Sequence, residues 1–162
     1  MRDDTARWDT PVSLSYSSST LNIAEVELPA QFWVSGTDVL ARFKDQSVRW
    51  PDVVGSDTYA LTLRRDRVLL VGRIDMPLGY ASGSGLAVSD VSDAFQVIEI
   101  SGPAAFERLC HGAELDLRKP SSSVMRRAFG AEVMLYRFGD DTRFRMHVPR
   151  AGMQSVFRQL VG

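Results

Sequence analysis

An α+β fold, with mixed or antiparallel sheets and a few short helices, follows from three features of this 162-residue sequence. Stretches of apolar–polar alternation come in hairpin pairs, two helical apolar stripes stand in the second half, and no regular strand–helix–strand repeat joins them. A period of two puts every second side chain on one sheet face, whereas spacing at i, i+3 and i+4 lines one helix face. With 44% hydrophobic residues, a chain of this size can bury roughly 70% of its unfolded surface in one domain.

Taken in order, residues 1–20 read as a flexible N-terminal tail. Serines at 13, 15, 17, 18 and 19 leave too little apolar surface to offset the entropy of ordering. Residues 21–162 then form a single domain. Residues 22–28 and 31–35 are expected strands broken at Pro29, the second carrying Phe32, Trp33 and Val34, which suit a pleated surface. Gly36-Thr37 can open a short helix with Asp38 in its first turn and Val39, Leu40 and Phe43 on its apolar face. Residues 45–55, around Trp50-Pro51, read as a loop. Residues 59–63 and 68–72 make a hairpin about the polar Arg64-Arg65-Asp66-Arg67 turn. Residues 74–85 are rich in Gly and Ser and read as a flexible connector. Their glycine spacing matches neither phosphate-binding fingerprint, and no helix start follows to supply free N–H groups.

The second half is patterned more clearly. Residues 94–101 alternate as a strand with at least one buried face. Ser101 is placed to cap a helix with Pro103 in its first turn, where a missing N–H costs nothing. Phe106, Leu109 and Cys110 form its apolar stripe, and Gly112 is placed to end it in a left-handed cap. Residues 132–138 and 143–148 make the clearest hairpin, turning at Gly139-Asp140-Asp141. Phe144, Met146 and Val148 share one face of it, with Arg143, Arg145 and His147 on the opposite, polar face. Met153, Val156, Phe157 and Leu160 close the chain on an amphipathic helix.

Composition excludes several functions. A net charge of −1 gives no general pull toward nucleic acid or anionic membrane. Nothing at the N-terminus reads as a secretory signal, and the apolar runs fall far short of the ~20 residues that span a bilayer. A lone cysteine, Cys110, forbids an intramolecular disulfide, and a cytoplasmic location fits. Of the nineteen basic residues only Lys44 and Lys119 are lysine. That bias fits genome base composition, or guanidiniums paired with carboxylates across a protein interface.

Candidate chemistry is sparse. His111 and His147 are the only histidines, too few for a zinc site built from His and Cys alone. Cys110 and His111 are helix neighbours pointing about 100° apart, so Cys110 reads as a packed thiol rather than a nucleophile. Asp3-Asp4 and Asp140-Asp141 sit in a tail and a turn, solvated rather than held in dry pockets. Asp90 and Asp93 precede a buried strand and fit turn hydrogen bonding.

The order of motifs in residues 88–117 is more telling than any one of them. Val88-Ser89-Asp90-Val91-Ser92-Asp93 leads into a strand, then Ser101-Gly102-Pro103-Ala104-Ala105, a helix, and His111-Gly112-Ala113-Glu114-Leu115-Asp116-Leu117. This run, continued through Val148-Pro149-Arg150 and the closing helix, resembles the gamma subunits of heterotetrameric sarcosine oxidase. The likeness is strong over 86–162 and weaker over 21–85. Its structural signature falls on Asp90, Ser92, Ser101, Gly102, Pro103, Gly112, Asp116 and Arg150.

The family is in turn similar to the folate-binding fold of the glycine-cleavage aminomethyltransferase. In the catalytic relatives an aspartate follows the glycine matched by Gly112, and here Ala113 takes that place. The resemblance therefore implies a non-catalytic subunit of a sarcosine-oxidase-type complex, with no catalytic, cofactor or metal residues of its own. FAD, FMN, NAD, zinc and tetrahydrofolate are expected on partner alpha and beta subunits, with a delta subunit completing the complex. Interface candidates are Trp33, Arg143, Arg145 and His147, with Trp8, Trp50 and the Ser-rich tail. The alternatives are a small folate-binding protein using Glu114 or Asp116, the same role with another N-methyl amino acid, or a stand-alone binding module.

Overall fold

The computed structural model describes residues 14–162. The chain is α+β, as the alternation patterns imply, and the described residues form thirteen strands, three short α-helices, one 3-10 turn at Arg150–Gly152 and two sheets. It opens with β1 (Ser15–Ser17), β2 (Asn22–Glu25), β3 (Gln31–Ser35) and α1 (Val39–Arg42). β4 (Ser47–Val48) and β5 (Val53–Val54) precede the hairpin β6 (Tyr59–Arg64) and β7 (Arg67–Val71). β8 (Gly79–Ala81), β9 (Leu86–Asp90) and β10 (Phe95–Ser101) lead to α2 (Ala105–Gly112). β11 (Met125–Ala128), β12 (Ala131–Phe138), β13 (Phe144–Pro149) and α3 (Met153–Val161) complete the chain.

The first sheet runs β1-β2-β10-β13-β12-β11, with β5 added in parallel to β12. The second runs β4-β6-β7-β3-β9-β8 and is antiparallel except for β4 beside β6. Four layers result. Alternate residues of the first sheet (Ile98, Ile100, Val133, Leu135, Phe144, Met146, Val148) pack against α2 and α3 through Leu109, Met153, Val156 and Leu160. Its other face, with Met134 and Tyr136, meets Tyr59, Leu61, Leu63, Leu69 and Val71 of the second sheet. The outer face of that second sheet, through Val34, Ala60, Val68 and Leu70, covers Val39 of α1. Each large helix side chain so buried contributes roughly 1.5–3 kcal/mol of transfer free energy.

Several elements depart from the sequence reading. Residues 1–13 of the expected tail lie outside the described residues, as does Trp8. The rest of that segment carries β1, paired with β2. Its serines alternate with Leu14 and Tyr16, which pack on the core and give the strand a buried side. The Gly- and Ser-rich stretch is not simply a connector: Gly79, Tyr80 and Ala81 pair with Val88, Ala87 and Leu86 in a hairpin anchored by buried Leu86 and Val88. The expected loop around Trp50 holds the short strands β4 and β5.

Trp50 is not an exposed interface aromatic. It is 1% exposed, donates from Nε1 to the Leu117 carbonyl at 2.8 Å, and stacks near Phe144 at 6.3 Å. The guanidiniums of Arg126 and Arg137 lie over its ring at 5.8 and 5.6 Å.

Ser101 does not cap α2. It remains in β10, and the helix starts after Ala104 with no side-chain cap. Gly112 does not form a left-handed cap either: it is the last helical residue, followed by extended Ala113. Its role is close approach. A Cβ there would stand 2.1 Å from Cε1 of Phe129, whose N–H donates to the Gly112 carbonyl at 2.9 Å. Phe129 has φ 52° and Gly130 φ 75°, joining Ala128 to Ala131 as the two-residue turn of the β11–β12 hairpin. Positive φ at both central positions matches the twist of the flanking strands.

In an exposed helix Gly→Ala stabilises by about 1 kcal/mol. Here Gly112→Ala should destabilise by about 1–3 kcal/mol, because the added methyl overpacks against a ring fixed by its own turn. Urea unfolding checks the sign. Adding Phe129→Leu should recover part of the loss, and equal losses in the single and double variants would refute the overpacking.

Candidate functional site

The polar face of β13 is where the interface candidates converge, and it does not face water. β13 lies between β10 and β12, and the second sheet covers that face. His147 is 0% exposed. Its Nε2 lies 3.0 Å from the Tyr136 hydroxyl, which is 2.7 Å from the hydroxyl of Tyr59 on the facing sheet. This three-residue polar chain crosses between the sheets. Tyr136 and His147 rings sit 5.5 Å apart, and the edge of Phe95 closes the other side at 6.3 Å. His147 Nδ1 has no hydrogen-bond partner among the described residues.

The expectation that His147 lies on a solvated face with the arginines is therefore wrong. The alternation was right, but its second face meets another sheet. Burial, reinforced by the nearby Arg145 guanidinium, pulls the imidazole down to about 3. Burial likewise raises Tyr59, and raises Tyr136 well above the ordinary phenol range. The histidine is thus neutral at pH 7 and holds a proton too weakly for general-base work there. Tyr136 and Tyr59, its polar neighbours, are buried with it, and Phe95 beside it is half-buried.

Arg143 and Arg145 both converge on Glu99 of β10, donating from Nη2 at 2.5 Å and Nε at 3.2 Å. Arg145 also lies over the Phe138 ring, with Cζ 3.2 Å from its centroid. Glu99 and Arg145 are largely buried, whereas Arg143 is partly exposed. Of these two interface candidates, then, Arg145 is spent inside the chain and Arg143 keeps an exposed edge. Trp33 is half-buried beside Phe95, ring centroids 6.0 Å apart, with the Arg67 guanidinium 5.1 Å from its ring.

The signature residues fall at three structural corners. At the first, Asp90 Oδ1 accepts from the N–H and hydroxyl of Ser92 at 2.9 and 2.6 Å. Those bonds hold its carboxyl below the usual range. The Ser92 hydroxyl oxygen accepts from the Gln31 N–H at 2.9 Å. Arg150 Nε donates to the Asp93 carbonyl at 2.6 Å, so the Asp90–Asp93 turn and the Val148-Pro149-Arg150 run, far apart in sequence, meet here. At the second corner, Gly102 adopts φ 108° against Thr20, where a Cβ would come within 2.5 Å of the Thr20 carbonyl oxygen. The Ala104 N–H donates to that same carbonyl at 3.0 Å, just after Pro103. The third is Gly112 against Phe129. Asp116 stands apart, capping the Arg118 N–H at 3.0 Å and pairing with its side chain at 3.6 Å.

Sequence reasoning missed Tyr59, Tyr136 and Glu99. The tyrosines are 77 positions apart, and no spacing rule links them. Glu99 carried a weak signal as the single charge on β10. Among the described residues no group of three or more His, Cys, Asp or Glu could hold a metal ion, and no helix is long and apolar enough to cross a membrane.

The architecture defines a two-sheet α+β class of protein, and its fold is similar to that of a sarcosine oxidase chain. One similar solved chain belongs to the heterotetrameric sarcosine oxidase from Corynebacterium sp. U-96 in complex with pyrrole 2-carboxylate. The superposition covers 91% of this chain and 85% of that one, with a TM-score of 0.64 and 18% identity. At that identity the likeness is one of fold. No protein-family model matches the sequence, and neither does any curated protein.

The unfolded chain protonates His147 near 6.5 and the folded chain only near 3. Between those values the unfolded state binds the extra proton, so stability falls as pH drops, by up to about 1.4 kcal/mol per unit. Urea unfolding at pH 6.5 and 4.5 should show the decline, with a shallower slope in His147→Phe. Equal slopes would refute the buried neutral imidazole.

Proposed function

We propose that this chain is a non-catalytic, gamma-type subunit of a sarcosine-oxidase-type heterotetramer, contributing to its assembly and stability. The observation that carries the reading is the extent of the structural likeness. It runs over 91% of this chain and 85% of that one, which supports likening the chain to one subunit of such a complex. In that role the oxidative demethylation of N-methylglycine, and the FAD, FMN, NAD, zinc and tetrahydrofolate it needs, belong to alpha and beta partners, with delta completing the assembly.

The surroundings of the folate-relative acid position support the same reading. Ala113 bridges to Ala128, and Glu114 ion-pairs with Arg127 at 3.0 Å on the exposed surface. Asp116 pairs outward with Arg118. Neither acid used by the folate-binding alternative is held in a dry pocket, where carboxylates are tuned for proton transfer.

Affinity purification of the tagged chain from its own cells, with identification of bound subunits and an absorbance scan, tests the proposal. The expected result is stoichiometric co-purification of flavin-bearing subunits. A partner-free monomer that binds tetrahydrofolate one-to-one in titration calorimetry would overturn it.

A further inference from the structure

We propose that a cleft of about 170 Å³ at the Arg64–Arg67 end of the sandwich receives an apolar anchor flanked by carboxylates on a partner subunit. The inference rests on the subunit role proposed above and names where that role is exercised. The walls are Trp33, Phe95 and Met134, and the rim carries Arg64, Arg67 and Glu132. Apolar cavities of about 150 Å³ hold a benzene-sized group, so the space suits one aromatic or branched aliphatic side chain. A single desolvated anchor in a pocket is how interfaces concentrate their binding energy.

Charge selects the flanking chemistry. Two guanidiniums stand against one carboxylate at the rim. Arg64 and Arg67, like several other arginines of the chain, make no ion pair among the described residues, and here two of them share one rim. Arg67 instead lies over the Trp33 ring, leaving its donors for an incoming acceptor. Trp33 Nε1 is a second donor without a partner, and a buried donor left unpaired costs about 1–3 kcal/mol. A segment bringing an apolar side chain together with carboxylate oxygens supplies the apolar filling and the acceptors that the cleft and its rim guanidiniums lack.

The test uses the full chain co-purified with its flavin-bearing subunits, comparing wild type with Arg64→Glu/Arg67→Glu, Met125→Trp and, as a control away from the cleft, Arg158→Glu. Circular dichroism confirms folding of each. Charge reversal at the rim should cut the captured flavin subunit by about tenfold or more and flatten its salt dependence. Met125 also lines the cleft, so Met125→Trp, which fills it without changing charge, should weaken capture as well, with Arg158→Glu matching wild type. Equal capture by all four chains would overturn the cleft while leaving the subunit role intact. Failure of wild type to capture any flavin subunit would remove both. Saturable binding of phenylacetate to the free chain, with partner capture unchanged in the rim variant, would reassign the cleft to a small aromatic acid and overturn the docking proposal.

Discussion

Strand β13 has to bury both faces, and much of the domain is arranged around that demand. One face gives Phe144, Met146 and Val148 to the helices. The other carries Arg145 and His147 into the space between the sheets, where an unsatisfied charge or polar group is expensive. The neighbouring strands supply the partners. Glu99 of β10 stands opposite Arg145 in register, and so, on the other side, does Tyr136 of β12. Tyr59 extends the polar chain into the second sheet. A slip of one residue in β13 would turn Arg145 and His147 toward the helices and the apolar trio toward the polar chain. The buried polar groups therefore fix register as well as occupy space.

Arginine carries a second kind of work. Arg126 and Arg137 lie over Trp50, Arg67 over Trp33 and Arg145 over Phe138. A planar, weakly hydrated guanidinium can stack on a ring and still donate at its edge, whereas a lysine ammonium is a point charge that holds its water. Arg126 shows the combination: burial draws its proton affinity down, while Nη1 donates to the carbonyls of Ser123 and Met125. The scarcity of lysine thus has a use within the chain, beyond base composition or pairing across an interface.

The legible parts of the fold were those set by local periodicity. The β6–β7 and β12–β13 hairpins, α2 and α3 lie where their spacing places them. Alternation says which residues share a face but not what that face meets. Glu99, Arg145 and His147 are polar on a strand, so solvent was the natural reading, and only the second sheet reverses it. β11 was missed because Met-Arg-Arg-Ala has no apolar alternation, and its turn uses Phe129-Gly130 rather than an Asn-Gly or Asp-Gly signal. Gly112 was read through its φ preference, but its φ is ordinary and its neighbour is the reason for it. The motif order in residues 88–117 points to the right fold, and all its motifs but the one at Asp116 sit at corners where two distant segments meet.

Those corners also bear on catalysis. After α2 the chain is tied to β11 at successive points: Gly112 accepts from the Phe129 N–H at 2.9 Å, and the Glu114 N–H donates to the Arg127 carbonyl at 3.0 Å. These ties set the direction of the segment, with Glu114 turned outward to Arg127 and Asp116 to Arg118. The backbone bonds that tie this segment to β11 thus accompany side chains whose acids pair outward. An acid at position 113 itself would need only a side chain, and the chain has alanine there.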